Sequence, residues 1–192
     1  MKCIFTILFC LAFTASVQAR GSDSAIRFHI AKDPRKWTPP YMQRGSDDDI
    51  IEEFVPEGDS SKTWKETVSI QVAFTTVSLR KYVDTWKDML LKTDSKIDLK
   101  EETIGDDSII VTHTSPSADE TSIRRFFKGK DGVYMLAYHV RPKFKKDETF
   151  KIWGDINRTA TLIPNSKKDE IASQKNRLQT RFSSLLTFQF NS

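Results

Sequence analysis

The residues of this chain best suited to chemistry are its three histidines, His29, His113 and His139, because imidazole both takes and gives a proton near neutral pH. Each falls in a different expected strand, and none belongs to H-E-x-x-H or a comparable ligand spacing. If the strands carrying His113 and His139 are sheet neighbours, the two rings could meet and serve a small hydrolase or a metal-assisted enzyme. Strand histidines are more often half-buried polar residues, and no metal is expected. The serines offer neither a G-x-S-x-G elbow nor a Ser-x-x-Lys with its partner motifs. Glu52 and Glu53 are adjacent on a strand, so they point to opposite faces, which is wrong for a cooperating carboxylate pair. The glycine motifs that cradle phosphates are missing, and no cofactor is called for. Asp47, Asp48 and Asp49 lack the spacing, central glycine and closing glutamate of a calcium loop, and read as a solvated turn.

A second candidate is a surface rather than a centre. Arg124, Arg125, Lys128 and Lys130 crowd one expected hairpin, and Arg141, Lys143, Lys145 and Lys146 follow it. Phe126, Phe127 and Tyr134 interleave with them, as in single-strand nucleic-acid binders. The formal net charge is only +4, with acids mixed along the whole length, which is no nucleic-acid footprint. An anionic lipid head group, a polysaccharide or a protein surface fits better. The turn around Trp64 and the basic hairpin form the expected interaction surface. Reversing the charges of Arg124, Arg125 and Lys128 is expected to leave the fold intact. Asn157-Arg158-Thr159 matches the glycosylation sequon, which matters only in a eukaryotic host.

The elements that position these residues follow from periodicity. Between Asp47 and Phe74 the chain reads as a strand, a turn at Pro56, Glu57 and Gly58, Trp64, and a long strand. In that strand Val68, Ile70, Val72 and Phe74 share one face while Thr67, Ser69, Gln71 and Ala73 share the other, as in a sheet with one buried side. Ile26, Phe28 and Ile30 suggest a short earlier strand. Leu79, Tyr82, Val83, Trp86, Met89 and Leu90 recur at helical steps, predicting an amphipathic helix over Thr76 to Leu91, with Ser78 or Thr76 as its cap. Two hairpins follow, turning at Gly105-Asp106-Asp107 and at Gly129-Lys130-Asp131-Gly132. The strand from Val133 to Val140 is apolar on both faces, which marks a central strand covered on both sides. A lysine-rich loop with Phe144, Phe150, Ile152 and Trp153 leads to a final helix expected over Ser166 to Phe188. These elements predict an α+β domain, a mainly antiparallel sheet with the two helices packed on it.

Residues 1–19 read as a secretory signal peptide: Lys2, an apolar run from Ile4 to Phe13, then small residues, with cleavage expected after Ala19. That run is too short to span a membrane. Both cysteines, Cys3 and Cys10, would leave with it, so the mature chain, expected to be a single domain over 20–192, would hold no disulfide or thiolate site. No transmembrane segment is expected in the mature part, and the expected location is the periplasm or the medium.

The segment from Glu52 to Phe74, with Glu53 to Pro56, Gly58, Trp64 and Val68 to Val72 in order, resembles small uncharacterised exported proteins of Gram-negative bacteria. That resemblance implies no activity and no catalytic residues. The order of elements is also similar to the Mog1/PsbP-like α/β/α sandwich. The function expected first is a non-enzymatic exported protein that binds a protein or an envelope component, with no nucleic-acid partner. The alternatives are the hydrolase or metal-assisted enzyme built on His113 and His139, and a secreted factor acting on host or competitor cells.

Overall fold

Among the described residues strands alternate with turns, and two α-helices arise where the apolar period changes from two to between three and four. The computed structural model describes residues 15–17, 24–38, 41–44, 49–60 and 62–164. Its elements are β1 (Ala15–Val17), β2 (Ser24–Phe28), β3 (Tyr41–Arg44), β4 (Ile50–Phe54), β5 (Glu66–Phe74), α1 (Leu79–Thr93), β6 (Asp98–Thr103), β7 (Ser108–Ser115), β8 (Glu120–Lys128), β9 (Gly132–Val140), α2 (Asp147–Thr159) and β10 (Thr161–Pro164). The protein is α+β. A seven-stranded sheet runs in the order β3-β4-β5-β9-β8-β7-β6, and a three-stranded sheet in the order β1-β2-β10. Every pairing is antiparallel.

Strand β9 lies at the middle of the main sheet and is buried along its whole length, as its two apolar faces require. Tyr134, Leu136, Tyr138 and Val140 face one core with Val68, Ile70 and Val72 of β5, Phe28 of β2, and Trp153 and Ile156 of α2. Val133, Met135 and Ala137 face the other, under Leu79 and Val83 of α1. So one helix packs on each face. Gly132 opens β9 because a Cβ there would lie 2.1 Å from the Ala73 carbonyl oxygen, so only glycine lets β5 and β9 close up at that end.

Helix α1 starts where Ser78 accepts a hydrogen bond from the Lys81 amide, so Ser78 is the cap. Helix α2 corrects the expected lysine-rich loop. Its stripe is Phe150, Trp153, Ile156 and Asn157, with Asp147 and Glu148 at the positive end and Arg158 at the negative end of the helix dipole. The helix expected over Ser166 to Phe188 lies outside the described residues, as do Cys3, Cys10 and most of the expected signal peptide. The described part of that segment, β1, pairs with β2, so cleavage after Ala19 would leave β2 paired with β10 alone. Among the described residues no helix is long and apolar enough to cross a membrane.

Candidate functional site

Register decides which polar residues meet on the α1 face. His113 of β7 stands opposite Ser122 of β8, and Ser122 stands opposite His139 of β9. The two histidines therefore share one row, two strands apart. Glu120 precedes Ser122 by two residues and Arg124 follows it by two, so both lie on that face, diagonal to each ring and within reach of long side chains. Beyond His139 the row continues to Thr67 of β5, while Ser69 is paired with Ala137. The small Ala137 side chain leaves room for His139 to reach Ser69 diagonally.

These neighbours form a continuous hydrogen-bond chain. Ser69 Oγ lies 3.0 Å from His139 Nε2, and His139 Nδ1 lies 3.0 Å from Glu120 Oε1. The Arg124 guanidinium donates to the same oxygen at 2.8 Å, and His113 Nε2 stands 3.5 Å from it. Ser122 Oγ is 3.0 Å from His113 Nδ1 and accepts from Arg124 Nε at 3.2 Å. An ionised carboxylate has no hydrogen to give, so Nδ1 of His139 must carry the proton. Nε2 is then an acceptor, and the Ser69 hydroxyl donates to it. Arg124 Nη2, 3.4 Å from the same Nδ1, acts on His139 through its charge.

The electrostatics agree with that assignment. Burial works to raise the Glu120 carboxyl, but hydrogen bonds from His113 and His139 and the charge of Arg124 outweigh it and hold the group well below the usual carboxylate range. His139 is pulled below its ordinary value by burial first and by Arg124 second, against the opposing pull of Glu120. The resting state is thus a carboxylate, a guanidinium and a neutral imidazole.

Helix α1 closes one side of this network. The Trp86 ring packs edge-on to His113 at 5.6 Å and lies under the Arg124 guanidinium at 5.0 Å. The opposite side opens into a recess of about 190 Å³ lined by Glu53, Trp64, Thr67, Ser69, Gln71, Glu120, Arg124 and His139. Trp64 is held there by Arg141, whose guanidinium sits 5.2 Å from the ring centroid. Among the described residues no three His, Cys, Asp or Glu side chains are grouped so as to hold a metal ion. Here Arg124 is bonded to the carboxylate that lies between the two rings.

The sequence candidates divide between two places. Trp64, Arg124 and His139 line the recess, with His113 directly behind. Arg125, though adjacent to Arg124, points to the other face. It is 8% exposed and donates from Nη1 to the carbonyls of Asn157, Arg158 and Ala160 at 2.7–2.8 Å, satisfying the C-terminal end of α2. Its charge cannot be reversed without breaking that anchor, which corrects the expectation of a tolerant surface. Lys128 and Lys130 are exposed and, with Arg125, line a larger cavity of about 620 Å³ whose rim includes Ser24 and Pro164. Phe126, Phe127 and Tyr134 are core residues and offer no stacking platform. The sequon fails as a glycan acceptor, because Asn157 is fully buried and its amide donates to the Trp153 carbonyl.

Sequence reasoning missed Ser69 and Glu120. Ser69 was on the face of β5 read as solvent-facing, yet Ser69 is 1% and Thr67 6% exposed, so both faces are covered. Compared with known protein families and with curated proteins, the chain matches none of them.

Proposed function

We propose that this chain is an exported binding protein that receives, in the recess on the α1 face, a group protruding from a protein or envelope component. The observation that carries the reading is the convergence of Trp64, Gln71, Thr67 and Glu53 with the Ser69, His139, Glu120 and Arg124 network on one small polar opening. At about 190 Å³ the recess is smaller than the roughly 300 Å³ at which pockets that enclose small molecules begin. It suits a single group presented by a larger partner. One aromatic wall with several hydrogen-bonding side chains is also the composition of a selective contact, where unpaired buried polar groups penalise a wrong ligand. Export rests on the charged start, apolar run and small residues of the first nineteen positions. The helix on each face and the order of elements support placing the fold beside the Mog1/PsbP-like sandwich.

A photo-crosslinking residue placed at Trp64 in the native organism, followed by fractionation into periplasm, outer membrane and medium, tests this. One defined adduct is expected from position 64 and none from position 130. The adduct is expected to vanish in Gln71→Trp, which fills the mouth of the recess. Equal adducts from positions 64 and 130, or an adduct indifferent to Gln71→Trp, would remove the recess as the binding site.

A further inference from the structure

We propose that Ser69 is a nucleophile for acyl transfer, with His139 as its general base and Glu120 as the residue that orients His139. The inference deepens the binding reading: the recess that receives the protruding group also presents a hydroxyl able to attack it, and the group is an acyl ester. It rests on that reading only for the site, and its failure is read separately below.

The geometry has the parts a serine nucleophile needs. Ser69 Oγ and His139 Nε2 are 3.0 Å apart, and His139 Nδ1 and Glu120 Oε1 are 3.0 Å apart, both within the reach required of a nucleophile and its base and of a base and its orienting group. Glu120 can only accept, which leaves Nε2 free of hydrogen and facing the hydroxyl. The three come from three strands of one rigid sheet, β5, β9 and β8. Such placement holds a constellation more tightly than loops do. Ser69 is 1% exposed, so it meets a reactant only through the recess that it lines. Chain order here is Ser, Glu, His, and the arrangement is recognised by geometry rather than sequence position.

The reaction balances without a further reagent. Ser69 Oγ forms a bond to the ester carbonyl carbon while its proton passes to His139 Nε2. The carbon–alkoxide bond then breaks, and the proton on Nε2 goes to the departing oxygen as an alcohol. Water, deprotonated by the same nitrogen, attacks the acyl-serine, and the proton returns to Ser69 as the carboxylic acid leaves. Glu120 stabilises the imidazolium in each half. Gln71 and Arg124, which line the recess, are the donors for the oxyanion. Arg124 beside His139 also opposes a charged resting imidazole, which keeps the base ready to accept.

The test uses the purified full chain, a fluorophosphonate probe and p-nitrophenyl acetate. Peptide mass spectrometry is expected to place the probe on Ser69 of the unaltered protein, a result that needs no variant to fold. In His139→Gln, with the fold checked by near-ultraviolet circular dichroism, labelling and ester hydrolysis are expected to slow about a hundredfold, the scale of a lost general base. Glu120 is a positioning residue, so Glu120→Gln is expected to change the pH profile of labelling as well as its rate. Absence of probe from Ser69 of the folded protein, or labelling that is equally fast in His139→Gln, overturns the proposal. If the position-64 adduct forms and depends on the recess while Ser69 stays unlabelled, binding stands and catalysis falls. If neither is seen, both fall.

Discussion

The two faces of the main sheet bury different materials. On the α2 face Trp153 is fully buried, stacked on Tyr138 at 5.1 Å and met by the edge of Trp37 at 5.4 Å, with Phe28 at 6.4 Å. Its buried polar groups are few and tied to neighbours: Asp33 accepts from Trp153 Nε1, Glu66 accepts from Tyr138 Oη, and Arg125 donates to the carbonyls at the end of α2. On the α1 face the helix covers an apolar half, Ile109, Val111, Phe126, Val133 and Met135, and reaches the polar half through Trp86. The other half is the network of Ser69, His113, Glu120, Ser122, Arg124 and His139. Burying such groups costs free energy unless every one is bonded. A fold that keeps them where apolar residues would serve has concentrated its chemistry on one face and its stability on the other. Burial alone does not separate the two. The composition of what is buried does.

The largest expected effect breaks the α2 face. Trp153→Ala removes the ring at the centre of its aromatic cluster and the donor to Asp33, and is expected to cost about 3–5 kcal/mol. Urea denaturation monitored by circular dichroism measures it. Ser69→Ala, which deletes one hydroxyl on the other face, should cost far less. If the two losses were alike, the division of labour between the faces would be wrong.

Next comes the pair of neighbouring arginines. Arg125→Ala removes the charged donor to the Asn157, Arg158 and Ala160 carbonyls at the end of α2 and is expected to cost about 3 kcal/mol. Arg124→Ala leaves Glu120 still bonded to His139, so its stability cost should be smaller. Its signature lies elsewhere: with the cation gone, the His139 titration followed by NMR should move up towards its ordinary value. A His139 that titrates identically in both variants would sever Arg124 from the network.

How much of this could be read from the chain follows from what periodicity encodes. The two-faced apolar run of β9, the glycine-marked hairpins and the stripe of α1 are local patterns, and each appears where expected, except that Met89 of the expected stripe is exposed. Helix α2 was hidden because Lys143, Lys145 and Lys146 crowd its start, no Ser or Thr caps it, and Gly154, Asn157 and Thr159 are poor helix formers. Its stripe at Phe150, Trp153 and Ile156 was the available signal. Pairing the second hairpin about its turn puts Ser122 opposite His139, and pairing β7 with β8 across Pro116 to Asp119 adds His113 to the row. Glu120 follows Pro116, Ser117, Ala118 and Asp119, so it reads as part of a turn until register is imposed. For Ser69 no local signal exists, because alternation tells which face of β5 is polar and not whether a neighbouring layer covers it.

A smaller effect separates the faces by pH. Unfolded His139 takes a proton near pH 6.5, and the folded residue takes one only at lower pH. Between those values the unfolded state binds more protons, so stability falls as pH falls. Asp33 and Glu120 are also held below their ordinary values. Their contributions are complete above about pH 4.5 and decline beneath it. Acid should therefore weaken the protein in two steps. His139→Gln should abolish the upper one, on the α1 face, and shrink the lower, which Asp33 on the α2 face maintains. Urea midpoints at a series of pH values would show whether the upper step survives.

The smallest change tightens the α2 face without touching the other. Gly154 lies inside α2, where glycine costs roughly 0.5–1 kcal/mol relative to alanine because the unfolded chain loses more freedom. A Cβ at this position would meet Arg158 Nη1 at 3.5 Å and Ile123 Cδ1 at 3.7 Å, ordinary contact distances. Its backbone is helical, so alanine brings no strain. Gly154→Ala is therefore expected to raise stability by about 0.5–1 kcal/mol, read as a higher urea midpoint at unchanged slope. Labelling of Ser69 should proceed at the original rate, since the substitution lies across the sheet from the recess. A loss of stability would mean that α2 packs closer to β8 than these distances give. A gain accompanied by slower labelling would show that the two faces are coupled through β8, the strand that carries Arg125 towards one and Glu120 towards the other.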